Sequence, residues 1–322
     1  MSAEFPEYGT LRKVLMHAPG REIDRIGPAS YRRYLFEDAI EPARFRNQHG
    51  RLVETLRHEG VDVVLVERVL EGSPLLALVE KSPNLVYMRD TVAVTRAGRI
   101  QMRMSSPVRR HEPRIAAAAL DRIGVGRLMD VRAPATMEGG DLIFLDGETL
   151  LVGVGNRTNR VALRQLRDRI RPKGWRILIA IQLPQSVIHL DGTMMVVDED
   201  LAIVHRESLT GPAIVYEDGK PATRAQPLRI LKQRRFRLIE VTAYERQRRA
   251  TNVITLGPRK VIGYAGNERV GRLLAEEGVD VIELEGSELV RGGGGPRCMT
   301  APIERDGGPS RDQTPTHEEG SP

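Results

Sequence analysis

The chain contains very little cysteine and few aromatic residues. One of its 322 residues is cysteine, Cys298, and 4% are Phe, Trp or Tyr. A single thiol cannot form an internal disulfide, so a reducing cytoplasm is the expected location. So few aromatic side chains offer little surface on which nucleic-acid bases could stack. The sequence therefore predicts neither a disulfide-stabilised secreted domain nor a binder of single-stranded nucleic acid.

Long apolar segments are also missing. No stretch approaches the ~18 unbroken apolar residues that a membrane span needs. Residues 1–10 lack both the basic region and the apolar region of a signal peptide. We therefore expect neither a membrane partner nor secretion.

Metal-ligand and phosphate-binding spacings are absent from the sequence. It has no His-x-x-x-His or Cys-x-x-Cys pair, so a metal site is not expected. Four glycines at positions 292–295 are not followed by the Gly-Lys-Ser/Thr of a phosphate-binding loop. No cofactor is predicted.

The chain is basic, with a net charge of +6 and a pI of about 9.6. Such a charge can indicate nucleic-acid binding. Most arginines alternate with other residues and acids, as in residues 164–169, although residues 232–237 and 246–249 are denser basic runs. We interpret the charge as mainly a solvated surface, so nucleic acid is not an expected partner. A basic RNA-binding protein built on a retired enzyme scaffold is the non-enzyme alternative.

A repeated strand and helix pattern organises the chain. Residues 56–67 and 274–285 resemble each other, each ending a helix at a glycine and continuing as a strand. Four strand–turn–strand units are predicted at 86–102, 142–152, 194–204 and 253–264. Helices follow at 107–123, 156–170 and 267–277, whereas residues 209–234 show no helical period. Closing strands are predicted at 127–131, 175–181, 237–241 and 279–284.

A fifth unit is split between the two ends of the chain. Residues 11–17, 42–59 and 61–66 read as strand, helix and strand, and residues 299–303 could supply the missing strand. Closure of a ring by both ends would remove exposed strand edges. We therefore predict an α/β fold with five-fold pseudo-symmetry. It would form one domain over residues 1–305, followed by a disordered tail over 306–322.

Polar residues that fit no core pattern stand at or just before the predicted hairpins. A ring would bring such equivalent positions together near its axis. They are Asn84, Asp90, Glu138, Asp141, His189, Asp191 and Cys298.

Cys298 follows a run of four glycines that has an arginine on each side. The glycines allow close approach to a ligand, and Arg291 and Arg297 would favour the reactive thiolate. The alternative is a buried structural cysteine, since free cysteine often packs as a small apolar residue.

Three other motifs have both a functional and an ordinary interpretation. His189 and Asp191 would share one face of a strand, either in a site or on a solvated sheet surface. Glu138 and Asp141 flank two glycines, which fits a crowded site or a simple acidic turn. Asp90 is a candidate ligand or the partner of Arg89 in a weak ion pair.

In order along the chain, these motifs resemble the arginine deiminase family of guanidino-modifying enzymes. The resemblance implies a five-bladed α/β propeller of ββαβ modules. The matching segments are residues 11–20, 84–90, 138–141, 155–158, 189–191 and 293–299.

The resemblance also implies a role for each residue. Cys298 would attack the guanidinium carbon, and His189 would act as general acid and then as general base. Glu138 would orient His189, while Asp90 and Asp191 would bind the guanidinium nitrogens. The implied ligands of the substrate carboxylate are Asn84, Arg109 or Arg110, Arg157 and Arg291, which could instead be ordinary surface arginines.

One departure leaves the substrate open. Only 83 residues precede Asn84, too few for the helical insertion of classical arginine deiminases. This compact layout resembles dimethylarginine hydrolases and amidinotransferases. The leading prediction is hydrolysis of L-arginine to citrulline and ammonia, in an enzyme that could form a homodimer. The alternatives are amidino transfer, dimethylarginine hydrolysis and an arginine dihydrolase reaction.

Overall fold

The computed structural model describes residues 5–170 and 175–307 and has a mixed α/β fold. The strands are β1 (Leu11–Met16), β2 (Asp62–Leu65), β3 (Val92–Thr95), β4 (Gly98–Gln101), β5 (Arg127–Asp130), β6 (Leu142–Phe144), β7 (Thr149–Val154), β8 (Ile177–Gln182), β9 (Met194–Asp198), β10 (Leu201–Val204), β11 (Ala213–Glu217), β12 (Thr223–Ala225), β13 (Arg237–Glu240), β14 (Ile254–Gly257), β15 (Lys260–Tyr264), β16 (Asp280–Leu284) and β17 (Ala301–Arg305). The α-helices are α1 (Pro42–His58), α2 (Val66–Val69), α3 (Leu76–Val79), α4 (Glu112–Arg122), α5 (Arg160–Ile170), α6 (Pro227–Gln233), α7 (Ala243–Gln247) and α8 (Glu268–Glu276).

The strands form five separate sheets, ordered β17-β1-β2, β3-β4-β5, β12-β11-β8-β7-β6, β13-β10-β9 and β14-β15-β16. Four of the sheets begin with an antiparallel hairpin whose second strand pairs in parallel with the strand after a helix. This confirms the four predicted ββαβ units. Central strands such as β9 and β10 are buried along their whole length because both of their faces are covered.

The sheet β17-β1-β2 joins the two ends of the chain. Strand β1 pairs in parallel with β2 and antiparallel with β17, as the split unit predicts. Asp306 continues this contact, because its backbone N–H donates to the Thr10 carbonyl at 2.9 Å and its carboxylate pairs with Arg12. The predicted tail therefore does not begin at Asp306, which is held at the edge of the sheet. Residues 308–322 of that predicted tail lie outside the described residues.

Two segments differ from the sequence-based expectation. Residues 209–234, which show no helical period, form the hairpin β11–β12 and then helix α6. Strand β11 pairs with β8, so this hairpin widens the sheet of the preceding unit. The first predicted hairpin begins at Val92 rather than at residue 86, because Pro83–Val86 and Met88–Asp90 are short 3₁₀ helices.

A 3₁₀ turn stands before the first strand of three units: Met88–Asp90, Gly139–Asp141 and Leu190–Gly192. Each turn places an aspartate within three residues of the start of its hairpin. The prediction that His189 and Asp191 lie on a strand is therefore wrong, because a tight turn carries the chain from one to the other. Among the described helices, none is long and apolar enough to cross a membrane.

Candidate active site

Cys298 lies in the turn between the 3₁₀ helix Leu289–Gly292 and β17, and it is 8% exposed. Its Sγ lies 3.7 Å from Asp191 Oδ2. Its backbone N–H donates to Asn252 Oδ1 at 3.2 Å, which fixes the turn. The thiol therefore faces a carboxylate inside the protein.

Glycines permit the close packing around this thiol. A Cβ on Gly294 would lie 2.4 Å from the Tyr87 ring, and one on Gly140 would lie 2.7 Å from Cγ of His189. Real Cβ atoms do not approach other heavy atoms so closely. The glycines therefore serve close approach, as the sequence predicts for a crowded site.

His189 is held between two carboxylates. Its Nε2 lies 2.9 Å from Glu138 Oε2, and its Nδ1 lies 3.7 Å from Asp90 Oδ1. All three side chains are buried. Sequence positions about fifty residues apart thus meet in one cluster, as the repeated units predict.

The charges around His189 favour its protonated form. Burial lowers the pKa of His189, but the charge of Asp90, the hydrogen bond to Glu138 and the charge of Asp141 raise it to about 10. Burial also raises the pKa of Glu138, but His189, Arg157 and Arg109 outweigh this and hold that pKa well below its usual range. The pair is therefore an imidazolium with a carboxylate near neutral pH.

Asp90 is paired with Arg109 and not with Arg89. Arg109 Nη1 donates to Asp90 Oδ2 at 2.7 Å, and its Nε donates to Glu112 Oε2 at 2.8 Å. The remaining Arg109 nitrogen donates to backbone carbonyls of Asn84 and Tyr87. Arg109 therefore holds Asp90 in place. This role does not fit the expected contact of Arg109 with a substrate carboxylate. Asp90 Oδ1 is buried without a hydrogen-bond partner among the described residues.

Asp191 is held by Arg297, which is fully buried. Arg297 Nη1 donates to Asp191 Oδ2 at 2.8 Å, and its Nε donates to Glu7 Oε1 at 3.0 Å. A third contact runs from Nη2 to the Leu142 carbonyl at 2.8 Å. Arg297 thus links the start of the chain, β6 and the turn that carries Cys298.

The thiol of Cys298 is not activated in the way that the sequence suggests. Burial and the negative charges of Asp191 and Asp90 raise its pKa far above the usual range, and Arg297 opposes them only weakly. The charge of Arg297 is balanced by Glu7 and Asp191, and Arg291 points elsewhere. The expected effect of neighbouring arginines is therefore wrong for this arrangement.

Asp141 stabilises the segment that carries His189 through two hydrogen bonds. It accepts from Thr158 Oγ1 at 2.6 Å and from the Leu190 backbone N–H at 3.0 Å. Burial raises the pKa of Asp141 to about 7, against the charge of His189 and the bond from Thr158. This carboxyl group positions the segment that carries His189.

The other predicted carboxylate ligands are found in different places. Arg157 lines a cavity that His189 and Cys298 also line, and its Nη1 lies 3.3 Å from Glu138 Oε2. Asn84 also lines it, but its Nδ2 donates to the Tyr34 carbonyl at 2.7 Å. Arg291 is exposed and pairs with Asp38 and the Ala39 carbonyl, away from the cavity lining. Arg110 donates to the Ser105 carbonyl at the surface.

Two cavities of about 380 and 70 Å³ adjoin at the cysteine and histidine. Both are lined by Glu37, Ile188, His189, Gly293 and Cys298. Large apolar side chains are rarely exposed in the described part of the chain, yet Leu35 and Ile188, 38% and 49% exposed, both line the smaller cavity.

Sequence reasoning missed Asn252 and Arg249 beside the site, and it assigned Arg297 to the thiol rather than to Asp191 and Glu7. Arg249 lines the larger cavity, pairs with Glu37 and has a buried Nε without a hydrogen-bond partner among the described residues. Its positive φ of 64° is an unusual backbone conformation for arginine. No sequence motif marks these residues. Only Arg297 had a signal in the sequence, its adjacency to the cysteine.

Asp90, Glu138 and His189 have potential ligand atoms within 4.8 Å of one another. Such a group could in principle hold a metal ion. Here the two carboxylates already accept from Arg109 and Arg157, and both contact His189. The arrangement is accounted for as a network of ion pairs.

Residues 73–305 match the family model described as arginine deiminase. The chain belongs to the arginine deiminase family. Members of this family are hydrolases that act on guanidino C–N bonds.

Relatives of the arginine deiminase family match along almost their whole lengths. The uncharacterized protein YkgA of Bacillus subtilis (strain 168) is 28% identical, over 93% of this chain and 94% of that protein. The arginine deiminase of Mycoplasma capricolum is 26% identical over 396 aligned positions, covering 94% of this chain and 96% of that protein. An alignment longer than these 322 residues means that the deiminase has segments without a counterpart here. This agrees with the short segment before Asn84.

Solved structures show the same fold. A DDAH from Pseudomonas aeruginosa, complexed with citrulline, has a TM-score of 0.70 and 23% identity, covering 91% of this chain and 100% of that chain. A second structure is the N-terminal domain of ArgZ, an arginine dihydrolase from cyanobacteria, with its substrate bound. It has a TM-score of 0.72 and 18% identity, covering 91% of this chain and 98% of that chain.

Proposed function

We propose that this member of the arginine deiminase family hydrolyses the guanidino group of L-arginine to citrulline and ammonia. One observation carries the proposal. The thiol of Cys298, the His189–Glu138 pair and the carboxylates of Asp90 and Asp191 converge on one enclosed site. This set contains a nucleophile, a proton donor and acceptors for a planar cation.

The two aspartates are suited to a guanidinium group. Asp90 Oδ1 is buried and lacks a hydrogen-bond donor among the described residues, and a guanidinium N–H would supply one. Asp191 Oδ2 lies beside the sulfur. A cation held by both would place its central carbon within reach of Cys298. Arg109 and Arg297 keep the two carboxylates in position.

The bound cation also explains how the thiol becomes reactive. Without substrate, burial and the two aspartates raise the pKa of Cys298. A positive charge bound between those aspartates reverses the local field, so the thiol loses its proton to solvent when the substrate is bound. The nucleophile is then formed only in the complex.

The reaction proceeds in two halves. The thiolate of Cys298 forms a bond to the guanidinium carbon, protonated His189 gives its proton to a terminal nitrogen, and the C–N bond breaks to release ammonia. Neutral His189 then takes a proton from water, and the hydroxide forms a C–O bond to the same carbon. The C–S bond breaks to give citrulline, and the hydroxyl proton restores the thiol. Glu138 stabilises the charged form of His189, which is present before ammonia is released and again after water is deprotonated.

Arg157 is the proposed ligand of the substrate carboxylate, because it lines the cavity and is only partly buried. Arg249 lies on the adjoining cavity wall and offers a second guanidinium group. Leu35 and Ile188 would cover the methylene chain between the two ends of the substrate. Arg109 instead positions Asp90, and Arg291 is not placed to take part.

A second candidate reaction is favoured by the compact chain. Solved structures of a DDAH and of the N-terminal domain of ArgZ match over nearly the whole of their chains, whereas the alignment with the arginine deiminase of Mycoplasma capricolum includes segments that have no counterpart here. Hydrolysis of methylated arginines or of arginine to ornithine would use the same thiol chemistry. The choice between these reactions depends on which nitrogen leaves first and on whether a second C–N bond is then hydrolysed.

Turnover of a small substrate panel tests the proposal. The panel contains L-arginine, methylated arginines, agmatine and guanidinoacetate, and citrulline, ornithine and ammonia are measured separately. Citrulline and ammonia in equal amounts from L-arginine alone would support the deiminase reaction. Ornithine with twice as much ammonia, or citrulline from methylated arginine only, would contradict it and identify the other reaction. Ornithine formed only with an added amine would identify amidino transfer.

We also infer that the five sheets form the blades of a ring, within one domain over residues 1–305. Three contacts between sheets support this, namely those of β17 with β3, β1 with β14 and β14 with β9. The bridge between Arg103 and Met137 and the bond from Leu190 to Asp141 link the remaining neighbours. Limited proteolysis tests whether residues 1–305 form one domain. If they do, no stable fragment smaller than the whole ring should accumulate.

A further inference from the structure

The widened sheet leaves part of one face without a covering helix. The sheet β12-β11-β8-β7-β6 has five strands but only helix α5 in its own crossover. Its extra strands β11 and β12 extend beyond that helix. A groove of about 470 Å³ lies between α5 and the hairpin β11–β12.

The floor of this groove is one face of the sheet. Residues two apart on a strand share a face, as Ile214 and Tyr216 do on β11. Ala180 pairs with Ile214, and Ile214 with Arg224, so side chains of β8, β11 and β12 line up across the floor. All of these residues line the groove.

Its walls carry four arginines and no acid among the described residues that line it. Arg160, Arg164 and Arg167 lie at i, i+4 and i+7 on one face of α5, and Arg224 faces them from β12. The side chains of Arg160, Arg164 and Arg224 have neither an ion pair nor a hydrogen bond within residues 5–170 and 175–307. Arg167 lies over the Tyr216 ring at 4.8 Å and is 4.0 Å from the exposed Asp168.

The geometry points to a binding site for a linked di- or triphosphate, either inorganic or carried by a nucleoside. Four guanidinium groups, three of them without an acidic partner among the described residues, repel one another, and a multivalent anion would relieve this repulsion. Arginine binds phosphate oxygens bidentately, and the three on α5 span about 10 Å, which suits several linked phosphates better than one. The site lies outside the two catalytic cavities and does not depend on the proposed reaction.

Titration calorimetry of the full chain with tripolyphosphate and with ATP tests the site. Wild-type protein should bind at low ionic strength, and added salt should weaken the binding. The variant Arg164→Gln/Arg224→Gln should bind at least about tenfold more weakly, because it loses two charge-assisted contacts to phosphate. The control Arg272→Gln removes an exposed arginine from α8 and should bind as wild type does.

Tighter binding of ATP than of tripolyphosphate would indicate a nucleoside as the carrier, and equal binding would indicate the phosphate chain alone. Guanidine turnover should be the same in both variants, which shows that they fold. The inference would be overturned if neither anion bound, if both variants lost affinity equally, or if RNA bound while both small anions did not. A dimer that dissociates in the double variant, without any anion binding, would overturn it as well.

Discussion

The imidazole Nε2 of His189 lies 2.9 Å from Oε2 of Glu138, and both side chains are buried. Across the same ring, Nδ1 of His189 lies 3.7 Å from Oδ1 of Asp90. A histidine between two carboxylates is a proton donor at neutral pH, which the release of ammonia requires. His189 can act as a base only after it has given that proton to the departing ammonia.

Replacing Glu138 by Gln should move the alkaline limb of the kcat/KM profile to lower pH. Burial lowers the pKa of His189, while Asp90, Glu138 and Asp141 raise it to about 10. Loss of one of these charges lets the pKa fall, so protonated His189 disappears at a lower pH. The pH profile of citrulline formation measures this shift. Glu54→Gln, on the exposed side of α1, is the matched control, and an unshifted limb in Glu138→Gln would refute the assignment.

Replacing Asp90 by Asn should make the free thiol more reactive while reducing turnover. Burial and the charges of Asp191 and Asp90 raise the pKa of Cys298, so removing the charge of Asp90 lowers it. The rate of alkylation by iodoacetamide at mildly alkaline pH should therefore rise in the variant. In the wild-type protein, a bound guanidinium compound that does not react should likewise favour the thiolate, and the ultraviolet absorbance of the thiolate should increase. A variant thiol that reacts more slowly than the wild-type thiol would contradict this electrostatic account.

Replacing Arg297 by Met should cost about 3–5 kcal/mol of the free energy of unfolding, because it leaves buried Glu7 and Asp191 without their partner. Denaturant unfolding measures the loss, and Arg272→Met on the surface serves as control. Adding Glu7→Gln to the Met variant should recover part of it. Arg297→Lys keeps the charge but cannot bridge both acids, so kcat should fall more than KM rises. Unchanged stability in Arg297→Met would remove its positioning role.

Replacing Ile188 by Ser should raise KM for L-arginine by about threefold to tenfold, with kcat nearly unchanged. The side chain is 49% exposed and lines the cavity, so its loss should barely affect unfolding. Tyr244→Ser is the control, because Tyr244 is 66% exposed and does not line either catalytic cavity. Equal KM values in the two variants would mean that Ile188 does not contact the substrate.

Sequence patterns identified the hairpins and helices because alternation, helical period and Asp-Gly turns are local signals. The closing strand β17 also follows from the sequence, since the split unit lacked one strand. The hairpin β11–β12 was missed, although Asp218-Gly219 directly after the segment Ala213–Glu217 is a turn signal. The 3₁₀ turns before three hairpins have no period that a sequence window can detect.

The positions of the candidate catalytic residues could be inferred from the repeat, but their charge balance could not. Arg109 and Arg297 look like other arginines in the sequence. Their burial depends on partners far away along the chain, Glu7 being 290 residues before Arg297. The raised pKa of Cys298 depends on the same burial. Electrostatics at this site is therefore a property of the folded chain.

Mass spectrometry of acid-quenched protein during turnover of L-arginine tests the central claim most directly. The account predicts that the peptide containing Cys298 carries the arginine skeleton less ammonia, and that this adduct disappears as citrulline formation ends. Cys298→Ser protein should show neither the adduct nor turnover above about a thousandth of the wild-type rate. An adduct of the amidino group alone would show that ornithine leaves first. Citrulline formation with Cys298 unmodified throughout would contradict the account.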